Sequence, residues 1–319
     1  MFNDIKTGVI GVGSMGQNHA RIYKEISNLV AVADPDEQQG RKVAKRLGVK
    51  WYKNYYDMLD EVDAVTIAVP TVMHREVAET VISFGVNLLV EKPLAENVAD
   101  ADEIISAAIV ADVTLAVGHV ERHNPVVAYA KRSIENREWG EMITMSSKRL
   151  SNYPKRIRDV GVILDLAVHD IDVMCYLIDC EVKDVLSMEG YKESQEYEDH
   201  ATILLDFENQ IKGICEVNWL TPLKVRKLSL TCTGAFIEID FTNQLLTESS
   251  LESFDVNDEN LYLSEQEVEY KTINIPKEEP LKRELTDFLK CIDLKQSPLV
   301  TGADGRRVIE LVNRINKKC

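Results

Sequence analysis

Across residues 5–118, short apolar runs alternate with longer amphipathic stretches. The runs at 8–11, 29–33, 64–69, 86–90 and 114–118 are four to six residues long, nearly continuous and rich in Val, Ile and Leu. Strands covered on both faces read this way. Between them the spacing predicts helices over 15–27, 36–47, 71–84 and 97–111, the last opened by Asn97 as N-cap. Strand and helix in this alternation imply parallel pairing through right-handed crossovers, hence a doubly wound sheet. Beyond residue 120 the pattern changes to a helix over 126–136, a strand over 142–150, an irregular loop and an apolar helix over 163–178. From 182 to 274, alternating segments separated by turn residues predict antiparallel strands, and helices over 279–293 and 303–316 close the chain. The expected fold is α/β. An N-terminal Rossmann domain (1–120) precedes an α/β domain (121–319) with a mostly antiparallel sheet.

Composition narrows the function. The 319 residues carry 37 Lys and Arg against 53 Asp and Glu, a net charge of −16, which disfavours a nucleic-acid partner. No apolar run is long enough to span a bilayer, and the first residues lack the sections of a signal peptide. Six scattered cysteines without a Cys-x-x-Cys pair suggest neither a disulfide framework nor a zinc site, so a reduced cytoplasmic protein without metal is expected. The acidic excess concentrates in residues 181–208 and 244–280. Residues 119–158 run the other way, with nine basic and four acidic side chains.

Gly11-Val12-Gly13-Ser14-Met15-Gly16 stands between the first predicted strand and the first predicted helix. In such a loop the first glycine makes the turn and the second lets the backbone approach a pyrophosphate. The third lets helix and strand pack closely, with the helix N-terminus facing the anion. Asp34 ends the second strand, where a carboxylate accepts hydrogen bonds from ribose hydroxyls and repels a 2′-phosphate. Pro35-Asp36-Glu37 brings no cation for such a phosphate, so NAD is expected rather than NADP. Pro70 and Thr71 follow the strand run at 64–69, at the sheet edge where ligands sit. Thr71 is placed to bond the cofactor or to cap the next helix, and His74 to face either solvent or the cofactor.

Glu91-Lys92-Pro93 follows the next strand. A lysine at a strand end beside a cationic nicotinamide gives up its proton more readily, which suits proton transfer. Asp165 and His169 stand at i and i+4 on the apolar helix, so both leave the same face. Burying them there is costly unless they pair or meet a ligand.

The succession of Gly11–Gly16, Asp34, Pro70-Thr71 with His74, Glu91-Lys92-Pro93 and Asp165 with His169 resembles the Gfo/Idh/MocA family of sugar and polyol dehydrogenases over essentially the whole chain. The resemblance implies that Lys92 and His169 share proton transfer and hydroxyl binding, with Asp165 orienting them. It leaves open which of the two is the base. It also implies some homo-oligomer, a dimer or tetramer. One departure is that Asp159-Val160-Gly161-Val162 carries a single glycine where many relatives have two or three.

For the substrate, Lys148, Arg149, Lys155, Arg156 and Arg158, with Tyr153, precede the Asp–His helix and make a basic rim suited to a diphosphate-linked sugar, or else a solvated basic loop. Asn218 to Arg226, including Trp219, and the stretch from Arg149 to Asp170 are similar to dehydrogenases of nucleotide-sugar pathways, which implies UDP-N-acetylglucosamine oxidised at its 3-hydroxyl. Asn124, ahead of Pro125, is placed to donate to the ligand or to cap the next helix. The rival readings are a dehydrogenase of a free polyol such as inositol, a glycosidase or lyase using transient oxidation, and an NAD-binding sensor.

Overall fold

The structure, a computed structural model, describes residues 2–154, 160–193, 195–255 and 265–316. The chain divides into two compact units, Met1–His123 with Glu279–Asn313, and Asn124–Glu278 with Arg314–Cys319.

The first unit runs β1 (Phe2–Ile10), α1 (Gly16–Ile26), β2 (Ser27–Ala33), α2 (Glu37–Leu47), β3 (Lys50–Tyr52), β4 (Ala64–Ile67), α3 (His74–Ser83), β5 (Asn87–Glu91), α4 (Val98–Ala111) and β6 (Leu115–Gly118). All pairs are parallel and the strand order is β3-β2-β1-β4-β5-β6, the Rossmann order. Asn97 accepts from the Asp100 amide, as its position before the helix predicted. The edge strand β3 and a 3-10 turn over Tyr55–Glu61 have no counterpart in the predicted elements; the three residues of β3 are too few to show a period. Strand residues on one face, such as Ile10, Val65 and Val90, pack with Val77, Val81 and Ile104 of α3 and α4. On the other, Val9 and Val32 pack with Ile22 and Tyr23 of α1 and Val43 of α2.

The C-terminal segment corrects the domain boundaries. Residues 279–313, expected with the second domain, belong to the first unit. The helices α7 (Pro280–Leu294) and α8 (Gly302–Asn316) follow the antiparallel strands in sequence. Leu281, Leu285, Phe288 and Leu289 of α7 nevertheless join the core beside α1, and Ile309 of α8 joins the opposite one. An apolar stripe identifies a face to be buried but does not say which sheet covers it.

The second unit contains α5 (Pro125–Glu135), β7 (Met142–Asn152), a π-helical turn over Ile163–Ala167 that continues into α6 (Val168–Ile178), and β8 (Val182–Gly190), β9 (His200–Phe207), β10 (Lys212–Asn218), β11 (Leu220–Cys232), β12 (Phe236–Asp240), β13 (Leu245–Asp255) and β14 (Glu265–Ile273). The sheet order is β14-β13-β12-β11-β7-β10-β9-β8, antiparallel throughout except for β7 against β10. Strand residues alternate in burial; Ala201, Ile203, Leu205 and Phe207 of β9 are buried while Thr202 and Leu204 are exposed. No described helix is long and apolar enough to cross a membrane.

Candidate active site

In the first unit the glycine loop is shaped by backbone crowding. Gly11 has φ of 82°, a left-handed conformation that favours glycine, and a Cβ there would lie 2.6 Å from the Ala68 carbonyl oxygen. A Cβ on Gly16 would lie 1.8 Å from the Gly11 carbonyl oxygen, so only glycine lets α1 start this close to β1. Gly13 is the contrast, with no atom within 4 Å of its hypothetical Cβ. That open side leaves room for a pyrophosphate to approach the backbone, and no side chain caps the N-terminus of α1. Asp34 is nearly buried, one oxygen accepting from the Val12 amide at 2.8 Å and the other from the Asp36 amide at 2.9 Å. It lines a cavity of about 580 Å³ with Gly11, Pro35, Lys53 and Met73. Loop, open side and anchored carboxylate fit a dinucleotide. Ser14 and Met15 belong to the same loop, with Met15 40% exposed. Pro70 and Thr71 lie at the carboxyl end of β4. Thr71 starts a 3-10 turn, and α3 receives no side-chain cap, so the capping role open to Thr71 is not taken.

The Glu91-Lys92-Pro93 turn, whose Lys92–Pro93 bond is cis, follows β5. Glu91 Oε1 lies 2.8 Å from His19 Nε2, and Oε2 accepts from the Lys92 amide at 3.2 Å. Burial works to raise the Glu91 pKa, but the hydrogen bond from His19 and the charges of His19 and Lys92 bring it below its ordinary value. Glu91, expected at the cofactor, therefore acts as a bracket behind Lys92. His74 is corrected as well, facing neither solvent nor cofactor. It is 1% exposed, with Nδ1 2.9 Å from the Pro93 carbonyl and Nε2 3.0 Å from the Val69 carbonyl. Burial pushes its pKa down.

In the second unit Asp165 sits within the π-helical turn and His169 in the first turn of α6. From Gly161 to Cys175 only Leu164, Asp165 and His169 escape burial, so Asp165 and His169 are both partly open on a largely enclosed stretch of helix. The switch of helical type falls between them. Such π-turns are frequent at functional sites. Glu198, which no sequence pattern singled out, holds the start of this helix. Its main-chain carbonyl accepts from Val162 N and its carboxylate from Ile163 N. A Cβ on Gly161 would lie 2.0 Å from that carboxylate, so a larger residue here would require the Glu198 side chain to shift.

Two other expectations, for Arg149 and Trp219, are corrected, and the choice left open at Asn124 is decided. Arg149 is 1% exposed and forks onto Asp170 of α6, Nε to Oδ2 at 2.7 Å and Nη2 to Oδ1 at 3.1 Å, so it fastens that helix to β7 and is not part of a rim. The alternation of β7 carried the signal, since Met145, Ser147 and Arg149 share the inward side and Lys148 the outward one. Asn124 is buried and caps α5, accepting from Val126 N and donating to the Phe241 carbonyl, the second of its two expected roles. Trp219 is 2% exposed and packs edge-on to Tyr153 at 5.6 Å between ring centroids, leaving Tyr153, 39% exposed, as the accessible member. Lys155, Arg156 and Arg158 lie outside the described residues. Among the described residues no group of three or more His, Cys, Asp or Glu is arranged to hold a metal.

Comparison with known proteins agrees with the loop and the two units. Residues 5–119 match the oxidoreductase family with an NAD-binding Rossmann fold, and residues 127–238 match the GFO/IDH/MocA C-terminal domain. The chain is 29% identical over 305 residues to UDP-N-acetylglucosamine 3-dehydrogenase of Acidithiobacillus ferrooxidans, covering 96% of this chain and 94% of that protein. A crystal structure of that enzyme superposes with a TM-score of 0.89 at 28% identity, covering 99% of this chain and 97% of the other. Scyllo-inositol 2-dehydrogenase (NAD(+)) of Bacillus subtilis is 24% identical over 330 residues, 98% of this chain and 93% of that protein. Levoglucosan dehydrogenase, solved with NADH and levoglucosan, shares the fold with a TM-score of 0.83 at 20% identity, over 98% of this chain and 96% of the other. With glycine loop, anchored Asp34 and both domain matches in agreement, the chain belongs to the Gfo/Idh/MocA family of NAD-binding oxidoreductases.

Proposed function

We propose that this dehydrogenase oxidises a ring hydroxyl of a nucleotide sugar to a ketone, with UDP-N-acetylglucosamine and its 3-hydroxyl as the reaction. The observation that carries this reading is the similarity to the Acidithiobacillus ferrooxidans enzyme through both units, at 96% of this chain. Gly11, Gly13, Ser14, Met15, Gly16, Asp34, Pro70 and Thr71 hold NAD, which supplies the hydride acceptor when bound. Lys92, assisted by His169 and Asp165, takes the proton of the substrate hydroxyl. Their assignment to one reaction rests on the family pattern. Tyr153, with Trp219 behind it, contributes to sugar binding, and Arg156 and Arg158 to the diphosphate.

A second reading, oxidation of a free polyol, is favoured by the inositol dehydrogenases among the relatives and by the withdrawal of Arg149 from the basic rim. The test follows NADH formation with NAD and a panel of UDP-sugars, free sugars and inositols. Turnover confined to UDP-N-acetylglucosamine is expected, and turnover confined to inositols overturns the substrate. Lys92→Ala and His169→Ala are each expected to lower kcat by about a hundredfold or more while NAD binding stays nearly intact. Wild-type turnover in both variants rejects the site.

We also infer a homo-oligomer formed through the open face of the second sheet. Leu186, Leu204 and Ile214 stand side by side across β8, β9 and β10, 55%, 45% and 37% exposed. Ion pairs of Lys212 with Asp206 and of Lys148 with Glu216 flank the row. An apolar row with a charged border fits a second copy of itself.

A further inference from the structure

His19 belongs to no motif, yet it is completely buried on α1, three residues beyond the last glycine of the loop. Its Nε2 is 2.8 Å from Glu91 Oε1, and Glu91 Oε2 takes the backbone N–H of Lys92. A chain of two hydrogen bonds thus runs from the dinucleotide-loop helix to the residue proposed to move the proton. The carboxylate is confined from a third side, because a Cβ on Gly118 of β6 would sit 3.2 Å from both Glu91 Cα and Oε2. A buried carboxylate without such partners is costly and would reorient or take up a proton.

We propose that His19 is a positioning residue of the active site, which holds the Glu91 carboxylate so that the carboxylate in turn fixes the backbone from which Lys92 projects. The inference rests on the proposed role of Lys92. Misplacement of a reacting group by about 1 Å suffices to lower a rate by about a hundredfold. His19 therefore bears on kcat, although it touches neither NAD nor substrate in this assignment.

The experiment compares His19→Ala, His19→Gln and Gly118→Ala with the wild type. Glutamine carries an N–H at nearly the place of the imidazole Nε2, so it keeps the bond to Glu91. Three quantities are read, namely NAD affinity by fluorescence titration, hydrogen exchange of the Lys92 amide by NMR, and turnover with NAD and UDP-N-acetylglucosamine. His19→Ala is expected to speed exchange at the Lys92 amide by about tenfold or more, as loss of its acceptor bond implies. It should lower kcat by at least about tenfold with KM for NAD within about threefold, and His19→Gln should restore most of both. Gly118→Ala crowds the same carboxylate from another strand and should give the same split, which keeps the test open if His19→Ala fails to fold. Unchanged exchange and turnover in His19→Ala, or a glutamine variant as impaired as the alanine one, overturns the proposal. Lys92→Ala serves as the control. If it keeps wild-type turnover, the reading of Lys92 fails. If it is inactive while His19→Ala is normal, only the role of His19 fails.

Discussion

At the scale of the residue, burial decides what a polar side chain does. His123 is 5% exposed, and burial, with the charges of Arg283 and Arg122, pushes its pKa down to about 3. In the unfolded chain a histidine titrates near ~6.5. Between these values the unfolded state takes up the proton and the folded state does not. Stability is therefore complete above about pH 6.5 and falls as pH drops towards the folded value. His74, lowered by burial, acts in the same sense. Glu91 and Asp304 are also lowered, but as carboxylates they weaken the fold only at more acidic pH. Denaturant midpoints measured between pH 7 and 5 are expected to decline, with His123 contributing up to about 1.4 kcal/mol per pH unit. His123→Gln should flatten the decline, and an unaltered slope in that variant would rule His123 out as its source. Arg149 illustrates the same principle without titration. Its charge suggested a phosphate ligand, whereas its inward position on β7 required a buried carboxylate, which Asp170 supplies.

At the scale of the element, each unit has one helix start that places candidate residues. α1 begins against the Gly11 carbonyl, where a Gly16 Cβ would overlap backbone that no rotamer change can move aside. Gly16→Ala is accordingly expected to displace the loop and to abolish stabilisation by NAD. In the wild type, NAD at a hundred times its Kd should contribute about 2.7 kcal/mol and raise Tm. A preserved rise in Gly16→Ala would show that the loop tolerates the methyl group. The helix of Asp165 and His169 begins with a π turn, supported by Glu198 from a loop ahead of β9. The i, i+4 spacing predicted a shared face, and both residues are partly open. The helical type and its distant cap depend on residues more than thirty positions away, which local periodicity does not register.

At the scale of the whole molecule, an apolar row interrupts an acidic surface. The net charge of −16 comes largely from the strand-rich segments, yet the open face of β8, β9 and β10 carries Leu186, Leu204 and Ile214 in line. Light scattering on the purified protein should report a dimer or larger assembly, and Leu204→Glu with Ile214→Glu should shift it towards the monomer. A wild-type monomer at working concentration, or an assembly indifferent to these changes, removes this face from consideration. The two substitutions leave the buried side of the sheet untouched, because their side chains lie on the exposed positions of an alternating pattern.

The sequence by itself determined the class of both sheets, the glycine loop with Asp34, the Glu-Lys-Pro turn, and the place of Asp165 and His169 on one helical stretch. All of these are written in local periodicity or in a spacing along one element. Tertiary structure alone decided that residues 279–313 return to the first unit, that His74, Arg149 and Asn124 are bound inward, and that His19 and Glu198 stand behind the proposed catalytic groups. The physical reason is common to these cases. A polar side chain is assigned its role by the partner that satisfies it once water is removed, and that partner is brought up by the fold from elsewhere in the chain.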